Sequence, residues 1–428
     1  MPSDAEAVRT SGGPRAGPSQ AGATSTAAGA GSTAWTGYPW VVLVAAVLVQ
    51  TSASFGNQAI SPLAPFLLRD LGISRFEIGL LVTATYIGAS FVLIPAGGLS
   101  DRVGVRVLFL LGPLAAGLML AAGGLVPTYA WLFLPLVLYG VGNGFSLPPT
   151  TRAIVDWFPP RRAGLPMGIK QTGVALAGVI LGVVVPPLAT AFEWRGALVA
   201  LGLLTAASGL LAWLLYRDRE VEREAHARTG RPGFGGVISD PGLLLLGGVT
   251  WIYAGVQLSL AGFLVLFLRE RFGLSTQAAG ALFSLAQAGG VVGRIGWGVF
   301  SDALVGGRRK PVMALIGGLA AASAVALSLM GSEAPGPLLA ALLFVAGLSS
   351  IGWNGINMTF VAELAGRHAS ATAAGFNLTA SYLGIMTFPP IFGALVDATG
   401  GSYAVGFQVA AGAYAIALLL LWRIRPAA

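Results

Sequence analysis

The sequence predicts an all-α membrane protein in which twelve transmembrane helices form two pseudo-symmetric six-helix bundles. Of the 428 residues, 55% are hydrophobic and only 10% are charged, whereas soluble proteins are about 25% charged on average. Twelve hydrophobic segments each reach the length of about 20 residues that an α-helix needs to cross a bilayer. The third observation is an internal repeat, because the two halves of the chain resemble each other.

The hydrophobic segments define the predicted domains. Their approximate bounds are 39–68, 76–98, 105–126, 130–151, 164–190, 194–216, 242–268, 276–301, 311–331, 336–361, 369–396 and 402–423. A charged, then Gly- and Pro-rich linker at 217–241 separates an N-terminal bundle at 39–216 from a C-terminal bundle at 242–425. Residues 1–38 lack the apolar core and cleavage site of a signal peptide, so we expect a disordered cytoplasmic tail.

The repeat relates the halves at two offsets. Residues 66–74 match residues 267–275 at an offset of 201, and later the offset is 207, which places Lys170 on Asn377. Parallel six-helix repeats imply a pseudo-two-fold axis along the membrane normal. Such repeats bind their substrate between the halves, near the midplane.

Basic residues predict the orientation in the membrane. With the N-terminus inside, the inner connections and the C-terminus hold 16 of the 25 basic residues, and the outer connections hold five. Two more lie in the tail, and the last two, Lys170 and Arg294, fall inside predicted helices. By the positive-inside rule both termini are cytoplasmic and the protein is a multi-pass protein of the cell (inner) membrane.

Composition excludes several function classes. The chain has no cysteine and only two histidines, so we expect no disulfide, no thiolate chemistry and no metal or other cofactor. The net charge of +8 is spread between hydrophobic segments, which argues against nucleic acid as a partner. No phosphate-binding loop with the pattern G-x-x-x-x-G-K-[ST] and no nucleophile–base set is present, so neither an ATP-driven pump nor an enzyme is expected.

Arg294 places a permanent cation inside predicted helix 8. It lies two turns before the polar end at Asp302. A guanidinium in hydrocarbon costs from about 3 to over 10 kcal/mol unless it faces a partner or water. All 17 acidic residues lie in the tail, in connections or near helix ends. We therefore predict that the partner is an anionic substrate; a structural pair with backbone carbonyls or a helix end is the alternative.

Lys170 supplies a second cation. It belongs to the stretch Met167–Gly173 that opens predicted helix 5. The lysine lies within two turns of the inner surface, so snorkelling to the interface is the alternative to a role in the cavity. Its repeat mate, Asn377, is polar but neutral, which favours a polar lining on helices 5 and 11.

The connection between predicted helices 2 and 3 resembles a family signature. Residues 97–106 read Gly-Gly-Leu-Ser-Asp-Arg-Val-Gly-Val-Arg, similar to the loop motif G-x-L-[AS]-D-R-x-G-x-[RK] of the major facilitator superfamily. A second copy begins at Gly298, but Ala303 replaces its Arg and the loop is one residue longer. The resemblance covers residues 39–425 and implies a transporter in which this Asp holds one conformation of an alternating cycle. The gating residues that it implies are Asp101, Arg102, Arg106 and Asp302.

The connection between predicted helices 4 and 5 also resembles this superfamily. Arg152 precedes Asp156 by four residues, a spacing that suits an ion pair within one helical turn. Glu363 is the repeat mate of Asp156. We predict that these three charges act in gating, and a solvated helix end is the alternative.

Two further resemblances point to anion transporters. The run at 168–173 resembles bacterial facilitators of the cyanate permease group, and Arg294 resembles the helix-8 arginine of the monocarboxylate and oxalate/formate transporters, which contacts a substrate carboxylate. The oxalate/formate group carries a lysine on helix 11, where this chain has Asn377. This departure favours a substrate with one carboxylate.

Further polar and aromatic residues fall on the helices that line the cavity in this superfamily. Each could equally make a hydrogen bond between helices. They are Asn57, Gln58, Tyr86, Asn143, Gln171, Tyr253, Gln257, Gln287, Trp353, Asn354, Asn357, Asn377 and Tyr382.

Together these features predict a secondary transporter that moves a small organic anion, a carboxylate, by alternating access. Proton symport and anion exchange both remain open. The predicted partners are the anion, protons in the case of symport, and the lipid bilayer, and we expect a monomer. An exporter of drugs or amphipathic compounds is the alternative, and it would require an acid embedded in the membrane. A sensor or channel built on the same fold is a third interpretation.

Overall fold

Every hydrophobic segment predicted above is a helix in the computed structural model, which describes residues 37–159, 164–218 and 239–424. These residues contain helices and connections but no strand. The helices are α1 (Tyr38–Leu71), α2 (Arg75–Val103), α3 (Val105–Gly123), α4 (Tyr129–Trp157), α5 (164–191), α6 (194–215), α7 (Pro241–Phe272), α8 (Thr276–Leu304), α9 (Arg309–Leu329), α10 (Gly336–Gly366), α11 (Thr372–Ala398) and α12 (Tyr403–Arg423).

The number of membrane spans is twelve because one long helix contains two of them. By length and composition, 11 helices among the described residues could cross a membrane. One of them, Gly164–Leu215, has 52 residues, and its backbone leaves helical geometry at Phe192 and Glu193. This break separates α5 from α6 and confirms the predicted fold class.

The repeat is visible where the first helix of each half meets the second. Gly72 ends α1 and Gly273 ends α7, with φ angles of 62° and 63°, a left-handed conformation that glycine adopts at low cost. In both halves a serine then caps the next helix: Ser74 accepts from the backbone of Glu77, and Ser275 accepts from that of Ala278. The predicted offset of 201 residues therefore relates equivalent turns.

Several helices differ from the predicted spans. α2 continues to Val103, α4 to Trp157 and α10 to Gly366, because hydropathy marks only the part of a helix that lies in lipid. α1 is interrupted at Ser54, and turn residues from Ile351 to Trp353 interrupt α10. The tail up to residue 36 and residues 219–238 of the linker lie outside the described part of the chain, so those two predictions are not addressed.

Among the described residues, three helix pairs make most of the contact between the N-terminal half (α1–α6) and the C-terminal half (α7–α12). They are α2 with α11, α5 with α8, and α1 with α7. Glycines allow the backbones to approach, because a Cβ added to Gly79 would lie 2.5 Å from the carbonyl oxygen of Pro389 and one added to Gly280 would lie 2.1 Å from that of Gly182. The substrate path of such a bundle would run between these pairs.

Two faces of the bundle are distinguished below. The terminal face is where α2 ends at Val103 and α8 ends at Leu304, and α1 begins and α12 ends there because the number of spans is even. The opposite face is where α1 ends at Leu71 and α7 ends at Phe272. The predicted orientation places the terminal face in the cytoplasm.

Candidate functional site

Arg294 points from α8 toward α5. Its Nη1 donates to the backbone carbonyl of Gln171 at 2.8 Å, and its Nε is buried without a hydrogen-bond partner. Among the described residues the guanidinium makes no ion pair. One backbone carbonyl is thus engaged, as the structural alternative proposed, but a guanidinium carries five N–H donors. The remaining donors are free to bind a ligand.

Lys170 is buried rather than snorkelling, with 4% of its surface exposed. Its Nζ donates to Thr151 Oγ1 at 3.0 Å and to Gln171 Oε1 at 3.3 Å. Both acceptors are neutral, and no carboxylate of the described residues pairs with this amine. Burying an ammonium without a counter-charge is costly, so this position favours the approach of an anion.

Gln171 connects the two cations. Its backbone carbonyl accepts from Arg294, and its side-chain oxygen accepts from Lys170. The two positive groups therefore share one neutral residue at the α5–α8 contact. This arrangement was not predictable from the sequence, because Gln171 was one of many candidate polar residues.

Two tyrosines lie across the interface near Arg294. The rings of Tyr86 on α2 and Tyr382 on α11 meet edge to face, with centroids 5.5 Å apart. The Tyr86 hydroxyl is within electrostatic range of Arg294. The structure thus places Tyr86 of the N-terminal half against Tyr382 of the C-terminal half.

Two glutamines meet farther from the terminal face than Arg294 does. Gln287 on α8 donates through Nε2 to Gln58 Oε1 on α1 at 3.4 Å, and Gln58 donates through Nε2 to the carbonyl of Val174 at 3.1 Å. Gln287 Oε1 is buried and has no partner among the described residues. This pair links three helices of the interface.

Asn57 on α1 and Asn143 on α4 are predicted site residues with unused acceptors. The Oδ1 atom of each is buried and has no partner among the described residues. The backbone of Asn57 donates to the Tyr139 hydroxyl at 3.3 Å. Buried polar atoms normally have a hydrogen-bond partner, so these two oxygens are suited to water or to a donor of a ligand.

The other predicted contacts form bonds inside the C-terminal half. Trp353 Nε1 donates to Gln257 Oε1 at 2.8 Å, and Asn354 Nδ2 donates to the same oxygen at 3.3 Å. Thr250 Oγ1 lies 2.6 Å from Asn377 Oδ1 and 3.2 Å from Asn357 Oδ1.

Tyr253 also bonds within the C-terminal half. Its hydroxyl donates to the Met313 carbonyl at 3.0 Å, and its ring packs on Trp353 and Tyr414. Among the described contacts of Tyr253 and of the preceding residues, none reaches Arg294 or Lys170, so their role in binding stays a prediction.

The predicted gating charges lie at the terminal face. Arg309 joins two of them, with its Nη1 2.6 Å from Asp302 Oδ1 and its Nε 3.0 Å from Glu363 Oε1. The sequence offered Asp302 and Glu363 but did not identify Arg309 as the residue that connects them.

The gating charges of the N-terminal half are placed differently. Arg152 pairs with Asp156 at 3.4 Å, as their spacing predicts. Arg106 Nε donates to the Trp213 carbonyl at 3.1 Å, and its guanidinium lies over the Trp213 ring. Arg102 is exposed, and the side chain of Asp101 lies outside the described part of the structure.

Sequence reasoning missed a charged cluster at the opposite face. Arg75 of α2 pairs with Glu270 of α7 at 2.7 Å and with Asp397 of α11 at 3.2 Å. Its repeat mate Thr276 is uncharged, so the repeat gave no signal. The available signal in the sequence was that Glu270 and Asp397 both lie near the ends of predicted helices on the same side of the membrane as Arg75.

Hydrogen bonds between the halves run from the opposite face to Arg294. Between described residues, these bonds involve Arg75, Phe76, Thr83, Ser284, Gln287 and Arg294. The Arg294 bond is the one nearest the terminal face, so the two cations lie at that end of the row of bonds.

A bundle of twelve helices in two related halves, with a polar site between them, is typical of α-helical membrane transporters. The family model of the Major Facilitator Superfamily matches residues 46–389, so the chain belongs to this superfamily. It is a multi-pass membrane protein of a transporter superfamily.

Relatives of the chain include transporters named for sulfoacetate and gallate. The chain is 27% identical to an uncharacterized MFS-type transporter of Mycobacterium tuberculosis (84% of this chain, 80% of the relative). It is 24% identical to a probable sulfoacetate transporter of Cupriavidus necator (86% and 89%) and 26% identical to a gallate transporter of Pseudomonas putida (87% and 88%).

The fold also matches a solved structure. A bacterial homologue of the human lysosomal transporter Spinster, captured in an inward-facing and occupied conformation, superposes with a TM-score of 0.74. The match is 19% identical and covers 92% of this chain and 97% of that one. At this identity the likeness supports the fold alone.

Proposed function

We propose that this protein is a secondary transporter that moves a small organic anion, a carboxylate, across the cell membrane by alternating access. The observation that carries the proposal is the meeting of Arg294 and Lys170 at Gln171, without a carboxylate among the described residues nearby. Arg294 is the main partner of the substrate, and Lys170 is the second positive charge.

The chemistry of the site favours a carboxylate. A guanidinium binds a carboxylate through two parallel N–H···O bonds, which gives both strength and orientation. The donors of Arg294 that are not engaged by Gln171 can provide such a pair of bonds. A neutral or cationic substrate would leave two buried cations without a counter-charge, at a cost of several kcal/mol.

Anion binding also couples to the transport cycle. The two cations lie where the hydrogen bonds between the halves end, so closing the terminal face would bury the partly exposed Arg294 and hold Lys170 away from water. An anion that neutralises them lowers the cost of that closure, and a ligand changes a conformational equilibrium only through such differential interaction. The relatives named for sulfoacetate and gallate transport support this substrate class, since both compounds are organic anions.

Orientation and coupling complete the proposal. The distribution of basic residues predicts that both termini are cytoplasmic, so the opposite face, where Arg75 joins the halves, would be the outer face. Proton symport and exchange for a second anion both fit a site with two cations, and the protein is expected to work as a monomer.

The test is thermal unfolding of the detergent-purified protein in the presence of carboxylates, inorganic anions, sugars and cationic drugs. A ligand at 100 times its Kd stabilises the folded state by about 2.7 kcal/mol. We expect one class of carboxylates to stabilise the wild type, Arg294→Lys to weaken the effect, and Arg294→Gln to abolish it. Arg308→Gln, which removes an exposed charge at the terminal face, is the control.

Two outcomes would overturn the proposal. Stabilisation by cationic amphiphiles alone, equal in the wild type and in Arg294→Gln, would favour the exporter. Stabilisation by a carboxylate that persists in Arg294→Gln would place the anion site elsewhere. Uptake of the stabilising carboxylate into proteoliposomes then distinguishes transport from binding by a sensor.

A further inference from the structure

The cluster around Arg75 contains the ion pairs that join the two halves within the described residues. Arg75 Nη2 lies 2.7 Å from Glu270 Oε2, and Nη1 lies 3.2 Å from Asp397 Oδ1. The Nε atom donates to the Tyr403 hydroxyl at 3.3 Å, and this hydroxyl donates to Glu270 Oε2 at 3.0 Å. One arginine of the N-terminal half thus holds the ends of three helices of the C-terminal half.

Asp397 strengthens the contact by binding the start of α2 as well. Its Oδ1 accepts from the backbone N–H of Arg75 at 3.3 Å, and its Oδ2 accepts from that of Phe76 at 2.9 Å. The first N–H groups of a helix lack partners within the helix and carry partial positive charge. A carboxylate from the other half therefore receives both a side-chain cation and the positive end of α2.

At the pseudo-symmetric contact, no ion pair joins the halves among the described residues, and Arg69, which stands at the position of Glu270, pairs with Asp70 of its own half. The repeat offsets of 201 and 207 place Thr276 at the position of Arg75 and Thr190 at the position of Asp397. There α5 and α8 close through small groups: Gly182 and Gly280 approach backbone to backbone, and Ser284 Oγ donates to the Val179 carbonyl at 2.8 Å. Only one of two equivalent contacts at the opposite face is ionic.

Water can reach the cluster from one side. A cavity of about 300 Å³ lies against Glu270 and Tyr403 and is otherwise lined by residues that include Arg271 and Ser402. The side chains of Arg75 and Asp397 are 22% and 27% exposed. Hydration lowers the cost of separating the charges, so the cluster can open and close reversibly.

We infer that the Arg75–Asp397–Glu270–Tyr403 cluster is an ionic latch that holds the opposite face closed, and that the α5–α8 side closes without one. The inference rests on the alternating-access cycle proposed above. The latch must break before the substrate site opens to the opposite face. Its strength therefore sets how much of the empty protein faces the terminal side.

The absence of native cysteine makes the test direct. Thr128→Cys and Ser332→Cys place two spin labels on exposed connections of the opposite face, one in each half and both away from the latch. Pulsed electron–electron double resonance then measures the distance between the two labels, and so between the halves, in proteoliposomes. We expect Asp397→Asn to raise the population with the longer distance roughly ten-fold or more, since the lost bonds are charge-assisted.

A second variant and a control make the result decisive. Glu270→Gln removes a carboxylate that does not bind the start of α2 and should shift the distances in the same direction, even if Asp397→Asn folds poorly. Asp70→Asn breaks an ion pair of 2.6 Å with Arg69, on the same face but within one half, and should leave the distances unchanged. Unchanged distances in both Asp397→Asn and Glu270→Gln, or an equal shift in Asp70→Asn, would overturn the latch.

The readout needs no substrate. A protein that binds no carboxylate but shifts in Asp397→Asn would retain the latch and lose the proposed anion site. A protein that binds a carboxylate but shows unshifted distances in the latch variants would retain the proposed anion site and lose the latch.

Discussion

The Nη1 atom of Arg294 donates to the backbone carbonyl of Gln171 at 2.8 Å and so joins α8 to α5 at the inner limit of the contact between the halves. The same glutamine accepts from Lys170 through its side chain at 3.3 Å. One neutral residue therefore partners both buried cations. A carboxylate that enters here can replace these weak neutral partners with a charged one.

Gln171→Glu supplies the counter-charge that the site lacks. The new carboxylate would lie beside Lys170 without a change in side-chain length, so we expect the free energy of unfolding to stay the same or rise. Substrate carboxylates should stabilise the protein much less, because the new charge offsets one of the two cations and repels a second anion. Thermal unfolding with and without the ligand measures both effects.

Gln171→Met is the matched control, because it keeps the length and adds no charge. It should weaken carboxylate binding far less than Gln171→Glu does. Undiminished binding by Gln171→Glu would mean that the anion does not occupy this position.

Thr250 holds a buried polar cluster in the C-terminal half. Its hydroxyl lies 2.6 Å from Asn377 Oδ1 and 3.2 Å from Asn357 Oδ1, and all three residues are buried. Thr250→Val keeps the shape but leaves these acceptors without that donor, so we expect the free energy of unfolding to fall by about 1–3 kcal/mol. Thr250→Ser keeps the hydroxyl and should lose less; equal losses in chemical denaturation would argue against the hydrogen bonds as the cause.

Hydropathy and the repeat were sufficient to predict the twelve helices, because the bilayer imposes a length and a composition on each span. Arg294 and Lys170 were also identifiable, since cations are rare inside such spans. Their contact through Gln171 was not, because it depends on how two helices 123 residues apart in sequence are rotated. The Arg75–Asp397 pair spans 322 residues and was missed for the same reason. Charges at helix ends look alike in sequence whether they are solvated or paired.

Arg309 joins three helices at the terminal face through Asp302 of α8 and Glu363 of α10. The two carboxylate side chains are 66% and 48% exposed, so water weakens each pair. We expect Arg309→Gln to lower the free energy of unfolding by about 1 kcal/mol. Arg308→Gln removes the neighbouring exposed arginine and should change stability little; an equal loss in both variants would show that net charge, not the pairing, is responsible.

Gly280 is a position where α8 approaches the backbone of α5 closely. A Cβ added there would lie 2.1 Å from the carbonyl oxygen of Gly182 and 2.7 Å from Pro186 Cγ, so Gly280→Ala forces the two helices apart. Overpacking of this kind costs about 1–3 kcal/mol, and we expect a lower unfolding temperature. On α9, Gly318 has no atom within 4 Å of its added Cβ, so Gly318→Ala should instead stabilise the helix by about 0.5–1 kcal/mol. Since both substitutions add one methyl group to a membrane helix, opposite shifts in unfolding temperature would identify the α5–α8 contact as the cause. A loss of stability in Gly318→Ala as large as that in Gly280→Ala would contradict this close approach.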